Sequence, residues 1–124
     1  MKKVVISIHN KKGGKVMETK VVKSSDANIF LEGVEVCREY FKTDKITFGT
    51  SQLCPGQTGA VDQGHKASHE VFFVVKGSVL LRCGEKLYEL HEGDAQIIPP
   101  GEPHQLTNIG EGTALVSWSM APSE

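Results

Sequence analysis

Two histidines of this chain lie in segments where glycine, proline and acidic residues recur at ordered spacings. In the first segment, His65 is followed by Glu70 five residues later. The second segment contains His104. Two imidazoles and one carboxylate are the ligand types of open Fe(II) sites. These residue types therefore indicate metal binding, provided that the fold brings them together.

The spacing around the two histidines resembles that of a known family. The second segment matches the pattern Gly-x5-Pro-x-Gly-x2-His-x3-Asn at every position; its residues are Gly93, Pro99, Gly101, His104 and Asn108. The first segment resembles His-x-His-x4-Glu-x6-Gly, except that Gln63 replaces the first histidine. Over residues 46–120 the chain is thus similar to the cupin superfamily, in particular to small single-domain cupins of the conserved-barrel type.

The resemblance implies an all-β cupin double-stranded β-helix, an antiparallel jelly-roll barrel with a metal site at its mouth. The ligands carried over from the motifs are His65, Glu70 and His104, and the fourth ligand position falls on Gln63. The implied metal is a divalent ion, Mn²⁺, Fe²⁺, Ni²⁺ or Zn²⁺. Gln63 could bind a hard ion such as Mn²⁺, hydrogen-bond a metal-bound water or face the substrate. If Gln63 and His65 share one extended strand, both side chains face the pocket.

Neighbouring residues are assigned by strand alternation. His69 precedes Glu70, so on an extended strand it should point away from the site. Phe72 shares the parity of Glu70, and Leu106 shares that of His104, which predicts an apolar wall around the pocket. The alternative for both residues is ordinary core packing.

The elements that would position these residues are short strands separated by glycine, proline and asparagine. We predict strands at residues 4–8, 16–22, 34–41, 46–53, 70–75, 79–83, 86–90, 95–98, 105–108 and 114–120, and one short helical turn at residues 24–28. Residues 1–45 are expected to contribute amino-terminal strands, including a hairpin, that pack on a barrel formed by residues 46–120. The whole chain is expected to be one domain.

Composition excludes several classes of protein. Fourteen basic and fifteen acidic residues give a formal charge of -1 without a long run of either sign, which argues against nucleic acid as a partner. The apolar runs are far shorter than the ~20 residues of a membrane-spanning helix. The three cysteines are widely spaced and odd in number, which favours reduced thiols. We therefore expect a cytoplasmic protein without a membrane span.

The expected function is that of a metalloenzyme acting on a small polar organic molecule. The resemblance leaves the reaction open among dioxygenase, decarboxylase, isomerase and lyase types. The alternative is a module that binds a small molecule without turnover, with or without a metal ion. We also expect a homodimer, because an open jelly roll leaves edge strands that a second copy can cover.

Overall fold

The computed structural model describes residues 18–124, in which one short 3₁₀ helix precedes nine strands. The helix is Ser24–Asp26. The strands are β1 (Asn28–Glu32), β2 (Glu35–Lys42), β3 (Thr47–Leu53), β4 (His69–Lys76), β5 (Ser78–Cys83), β6 (Lys86–His91), β7 (Ala95–Ile98), β8 (His104–Asn108) and β9 (Ala114–Ala121). Within these residues no helix is both long and apolar enough to cross a membrane.

The strands form two antiparallel sheets that enclose one core. The larger sheet has the order β1-β2-β3-β9-β4-β7, and the smaller has the order β6-β5-β8. Every second residue of β4 and β9 is buried, as expected for strands with one face on a core. Val74, Leu81 and Val116 are among the buried residues that join the sheets. This arrangement confirms the predicted all-β antiparallel jelly roll.

The eight strands predicted from residue 34 onward agree with β2 to β9 to within one residue at each end. The short helical turn is present as Ser24–Asp26. The predicted strand at residues 4–8 and the start of the one at 16–22 lie outside the described residues, and residues 18–22 form no strand. The amino-terminal hairpin therefore also lies outside them.

Strand β1 was missed by the sequence analysis. It pairs with β2 through a two-residue turn at Gly33 and Val34, so that Glu32 lies opposite Glu35. The pattern concealed this strand because its apolar Ile29 and Leu31 are exposed, whereas Glu32 is half-buried. Such a reversed distribution gives no alternation that points to a core.

Residues 56–62 run antiparallel to β8 and extend the smaller sheet. The N–H of Gly59 donates to the Leu106 carbonyl at 2.9 Å, and the N–H of Asn108 donates to the Gln57 carbonyl at 2.9 Å. Asp62 and His104 exchange two backbone hydrogen bonds, both 2.8 Å long. Side chains of such a directly paired couple lie on the same face of a sheet. The pairing therefore brings the Asp62 carboxylate beside the His104 ring.

The motif residue Asn108 connects the far end of β8 to two other segments. Its buried amide donates to the carbonyls of Leu53 and Gly112, both at 2.9 Å, and its Oδ1 accepts the N–H of Gly110 at 2.8 Å. These three bonds explain why an amide side chain is needed at this position.

We expect Asn108→Ala to lower the free energy of unfolding by about 2 to 4 kcal/mol, because it leaves buried backbone groups without partners. Urea denaturation followed by Trp118 fluorescence would measure the loss. The matched control is Asn28→Ala on exposed β1, which should change stability by less than ~0.5 kcal/mol. Equal stability of Asn108→Ala and the parent protein would contradict this role.

Candidate metal centre

Four side chains converge at the mouth of the barrel. Glu70 Oε1 lies 3.0 Å from His104 Nε2 and 3.4 Å from His65 Nε2. Asp62 Oδ2 lies 3.5 Å from His104 Nε2 and 3.7 Å from His65 Nε2. Glu70 is provided by β4 and His104 by β8, while Asp62 and His65 belong to the segment between β3 and β4. Three different parts of the chain thus supply one cluster.

Potential ligand atoms of Asp62, Glu70 and His104 all lie within 4.8 Å of one another, a spacing that fits a single metal ion. His65 Nε2 adjoins the two carboxylates of this group. Ligand atoms about 2.1 Å from a metal are roughly 3.0 Å apart at adjacent octahedral positions and roughly 3.4 Å apart in a tetrahedron. The four contacts above cover a similar range. In addition, Glu70 Oε1 is buried and has no hydrogen-bond donor among the described residues as long as His104 Nε2, 3.0 Å away, carries no proton. A buried carboxylate oxygen without a donor is the atom that a cation would satisfy.

The second ring nitrogen of His104 orients the imidazole. Nδ1 lies 3.0 Å from the backbone carbonyl of Glu102 and donates to it, which leaves Nε2 with a free lone pair when the ring is neutral. Burial lowers the pKa of His104, but the carboxylate of Glu70, the Glu102 carbonyl and the charge of Asp62 outweigh it and raise the pKa overall. A proton and a metal ion would therefore compete for Nε2.

The structure brings together His65, Glu70 and His104, as the motifs implied. It does not bring Gln63 to them, because residues 63–65 form no strand and Gly64 has a φ of 92°. Gln63 is exposed, and the shared face expected for it and His65 is absent. The metal role of Gln63 stays a prediction that the structure leaves unsupported. His69 is exposed on β4, on the opposite face from Glu70 as expected.

Asp62 is the ligand candidate that sequence reasoning missed. An acidic residue adjacent to Gln63 was the available signal, but only its backbone pairing with His104 reveals its direction. Gly64 allows this arrangement because an added Cβ would lie 2.9 Å from the backbone of Gly101 and Glu102. The Gly101 N–H also donates to the His65 carbonyl at 2.6 Å.

The cluster opens into a cavity of about 160 Å³. Phe72 and Leu106 both line the cavity and both belong to the hydrophobic core. The pocket wall and the core packing considered for them are therefore compatible. The remaining wall combines apolar side chains with several acidic side chains from β1 and β2. These other lining residues include Phe30, Glu32, Glu35, Glu39, Trp118 and Met120.

Similarity to known proteins agrees with this architecture. A profile of the cupin domain matches residues 49–120, which is more than half of the chain. The chain belongs to the cupin family. An uncharacterized protein of Methanocaldococcus jannaschii, MJ1618, is 35% identical over 46 residues, and this match spans only 37% of that protein's length and 37% of this chain.

Two solved structures illustrate the shared fold. The TT1209 protein of Thermus thermophilus is 30% identical, with a TM-score of 0.65 over 71% of this chain and 83% of its own. A protein of Thermotoga maritima described as a predicted oxalate decarboxylase is 17% identical. Its TM-score is 0.72, and the match covers 84% of this cupin and 100% of the T. maritima chain. At that identity the second likeness concerns the fold alone.

The loop after His65 is held by Glu124. The carboxylate of Glu124 accepts backbone N–H bonds from Lys66 and Ala67 at 2.9 Å and from Ser68 at 2.7 Å. Bonds from Ser68 and from the Ala67 N–H lower the pKa of Glu124 to about 2. Because the pKa is depressed, the contact is complete above about pH 4.5 and is lost only as the pH falls toward 2.

We expect Glu124→Gln to speed hydrogen exchange at the amides of residues 66–68 by about tenfold or more at pH 7, since a charged acceptor is replaced by a weaker neutral one. Exchange measured by NMR would test this. Glu111→Gln on an exposed loop is the control and should leave these amides unchanged. Unaltered exchange in Glu124→Gln would mean that the loop is held by other contacts.

Proposed function

We propose that this cupin binds a divalent metal ion and uses it to act on a small polar organic molecule. The observation that carries the proposal is the cluster of four potential ligand atoms around the unpartnered, buried Glu70 Oε1. His65, Glu70 and His104 are the ligands carried over from the motifs, and Asp62 is the fourth candidate. Two imidazoles with two carboxylates suit Mn²⁺, Fe²⁺ or Zn²⁺.

When bound, the metal would supply Lewis-acid activation of an oxygen atom of the substrate. The protein's own residues do the rest. Glu102 holds the ring of His104 in the tautomer that leaves Nε2 free. Phe72, Leu106 and Trp118 provide an apolar wall that limits access of water to the site.

The cavity volume supports a small substrate. A cavity of about 160 Å³ is comparable to the roughly 150 Å³ sites that hold one benzene-sized molecule. A substrate of about six non-hydrogen atoms is therefore favoured. The T. maritima relative is described as a predicted oxalate decarboxylase, and oxalate would meet the size limit. Its two negative charges, however, fit poorly with a wall that contains five carboxylates.

Metal binding is tested by calorimetric titration of the metal-free protein with Zn²⁺ at about pH 7.5. We expect binding of one ion, with an affinity that falls by at least about tenfold in His104→Ala and in Asp62→Ala. Affinity should also decline with acidification, and the decline should begin above pH 6.5, because the raised pKa of His104 lets protons displace the metal from its imidazole at higher pH.

Gln63→Ala is the matched control, since it truncates the adjacent polar side chain. If Asp62 and not Gln63 is the fourth ligand, Gln63→Ala retains the parent affinity within about twofold. A large loss in Gln63→Ala with none in Asp62→Ala would reverse the assignment. Absence of Zn²⁺ and Mn²⁺ binding by the parent protein would favour the metal-free binding module instead.

We further propose that the protein forms a homodimer through the outer face of the larger sheet. Edge strand β7 carries Ile97, which is 60% exposed, opposite the exposed Val71 of β4. Phe73 and Val75 continue this apolar face along β4. Large exposed side chains beside a sheet edge are typical of association surfaces.

Light scattering at micromolar concentration should give twice the chain mass of 13.5 kDa. We expect Ile97→Asp to shift this mass toward the monomer, because dimerisation would remove water from the introduced carboxylate and leave it without a partner. Leu87→Asp alters a similarly exposed residue on β6 of the other sheet and should leave the dimer intact. A monomeric parent protein would contradict the proposal.

A further inference from the structure

Glu35 is a buried carboxylic acid on the cavity wall that lies outside the metal centre proposed above. It begins β2, is only 4% exposed and lines the same cavity as the metal ligands. Its Oε1 rests against Gly59, where an added Cβ would lie only 1.8 Å away. The chain therefore leaves space for this carboxyl group with a glycine on the opposing segment.

The surroundings of Glu35 favour proton exchange near neutral pH. Burial raises the pKa of Glu35 to about 7. The groups facing it are Glu32 from β1, Cys37 of its own strand, Ser51 from β3 and His104 from β8. Cys37 approaches Oε2 through its thiol at 3.8 Å, a long and weak contact. No lysine or arginine side chain among the described residues forms a salt bridge with Glu35.

We propose that Glu35 is the proton-transferring residue of the cavity, and that the substrates are small neutral hydroxycarbonyl compounds whose oxygens bind at the metal centre. This inference rests on the proposed metal function and specifies the reaction as proton abstraction next to a carbonyl. A buried acid that shares a small cavity with a proposed Lewis-acid site supplies both the base and the carbonyl activation for such chemistry.

The charge of the cavity selects for a neutral substrate. Five carboxylates line it: Glu32, Glu35, Glu39, Asp62 and Glu70. Lys42 is the only lysine or arginine among the described lining residues, and its ammonium group donates to the backbone carbonyl of Glu124 at 3.0 Å. No guanidinium fork is thus available on this described wall for a carboxylate or phosphate group. A substrate with such a group would be repelled.

The proposed proton transfer needs no oxidant or reductant. The C–H bond next to the carbonyl breaks, and its electron pair moves toward the carbonyl to give the enolate of the substrate. The proton goes to the ionised carboxylate of Glu35. Its return to the original carbon regenerates Glu35 and yields exchange. Its return to the former carbonyl carbon, with transfer of the substrate's hydroxyl proton to the former carbonyl oxygen, regenerates Glu35 and yields isomerisation. The half-ionised state near pH 7 lets one group perform both transfers.

The test uses Zn²⁺-loaded protein and dihydroxyacetone, a small neutral probe of the favoured size, in D₂O. Loss of the probe's C–H signal in ¹H NMR measures proton abstraction. We expect exchange above that caused by free Zn²⁺ and buffer, with a rate that rises as Glu35 ionises through about pH 7. Glu35→Gln should slow exchange by about 100-fold or more and remove this pH dependence, while Zn²⁺ affinity changes less than about threefold.

Glu85→Gln in the exposed turn after β5 is the control and should exchange like the parent. If Glu35→Gln fails to fold, Glu35→Asp replaces it in the test. Glu35→Asp should exchange the probe's C–H protons more slowly than the parent and should keep the pH dependence of the rate. Zn²⁺ binding without exchange in the parent would overturn this inference while leaving the metal function standing. Exchange that is equally fast in the parent and in a folded Glu35→Gln or Glu35→Asp would overturn the assignment of Glu35. Failure to bind Zn²⁺ or Mn²⁺ at all would remove the metal function and this inference with it.

Discussion

The reciprocal backbone hydrogen bonds between Asp62 and His104 determine the geometry of the whole site. They attach residues 56–62 to β8, and so the segment that leads into His65 follows the edge of the smaller sheet. Side chains alternate along such a segment, so a shift of one residue would turn Asp62 away from the cavity. Correct register at this one pair therefore decides which side chain faces Glu70, and Gly64 then redirects the chain so that His65 can join them.

The resulting cluster places the carboxylates of Asp62 and Glu70 against the same two imidazole rings, so a positive charge between them is favourable. Glu70 is buried, and its unpartnered oxygen would carry the cost of desolvation. A proton on His104 is one source of positive charge, in keeping with its raised pKa. A divalent ion would be a stronger source, and it would require the neutral imidazole. A bound metal ion and a proton on His104 would therefore be alternative ways to compensate the carboxylates, which would couple metal affinity to pH.

The part of the site that sequence could predict is the part encoded by local spacing. Glycine and proline residues around His104 and Glu70 mark the turns that place these residues at strand ends. The direction of Asp62 depends on pairing with a distant strand, and Gln63 was assigned to the pocket on the assumption of an extended strand that does not form there. Glu35 was overlooked because it lies on the cavity side of β2 in place of a core residue. Hydrophobic alternation detects a strand by its apolar face and cannot recognise a functional group that interrupts that face.

The positions of the candidate ligands Glu70 and His104 and of Glu35 are set by separate strands of the barrel. Glu70 and His104 lie on β4 and β8, and Glu35 lies on β2, so their separation does not depend on a flexible loop. His65 lies on a loop, but Glu124 binds the three amides that follow it.

Apolar side chains of the same cavity, those of Phe72, Leu106 and Trp118, lower the local polarity. Lower polarity would strengthen the pull of a bound cation on a substrate oxygen and would raise the basicity of the nearby carboxylate, so the same wall would favour both halves of the proposed proton abstraction.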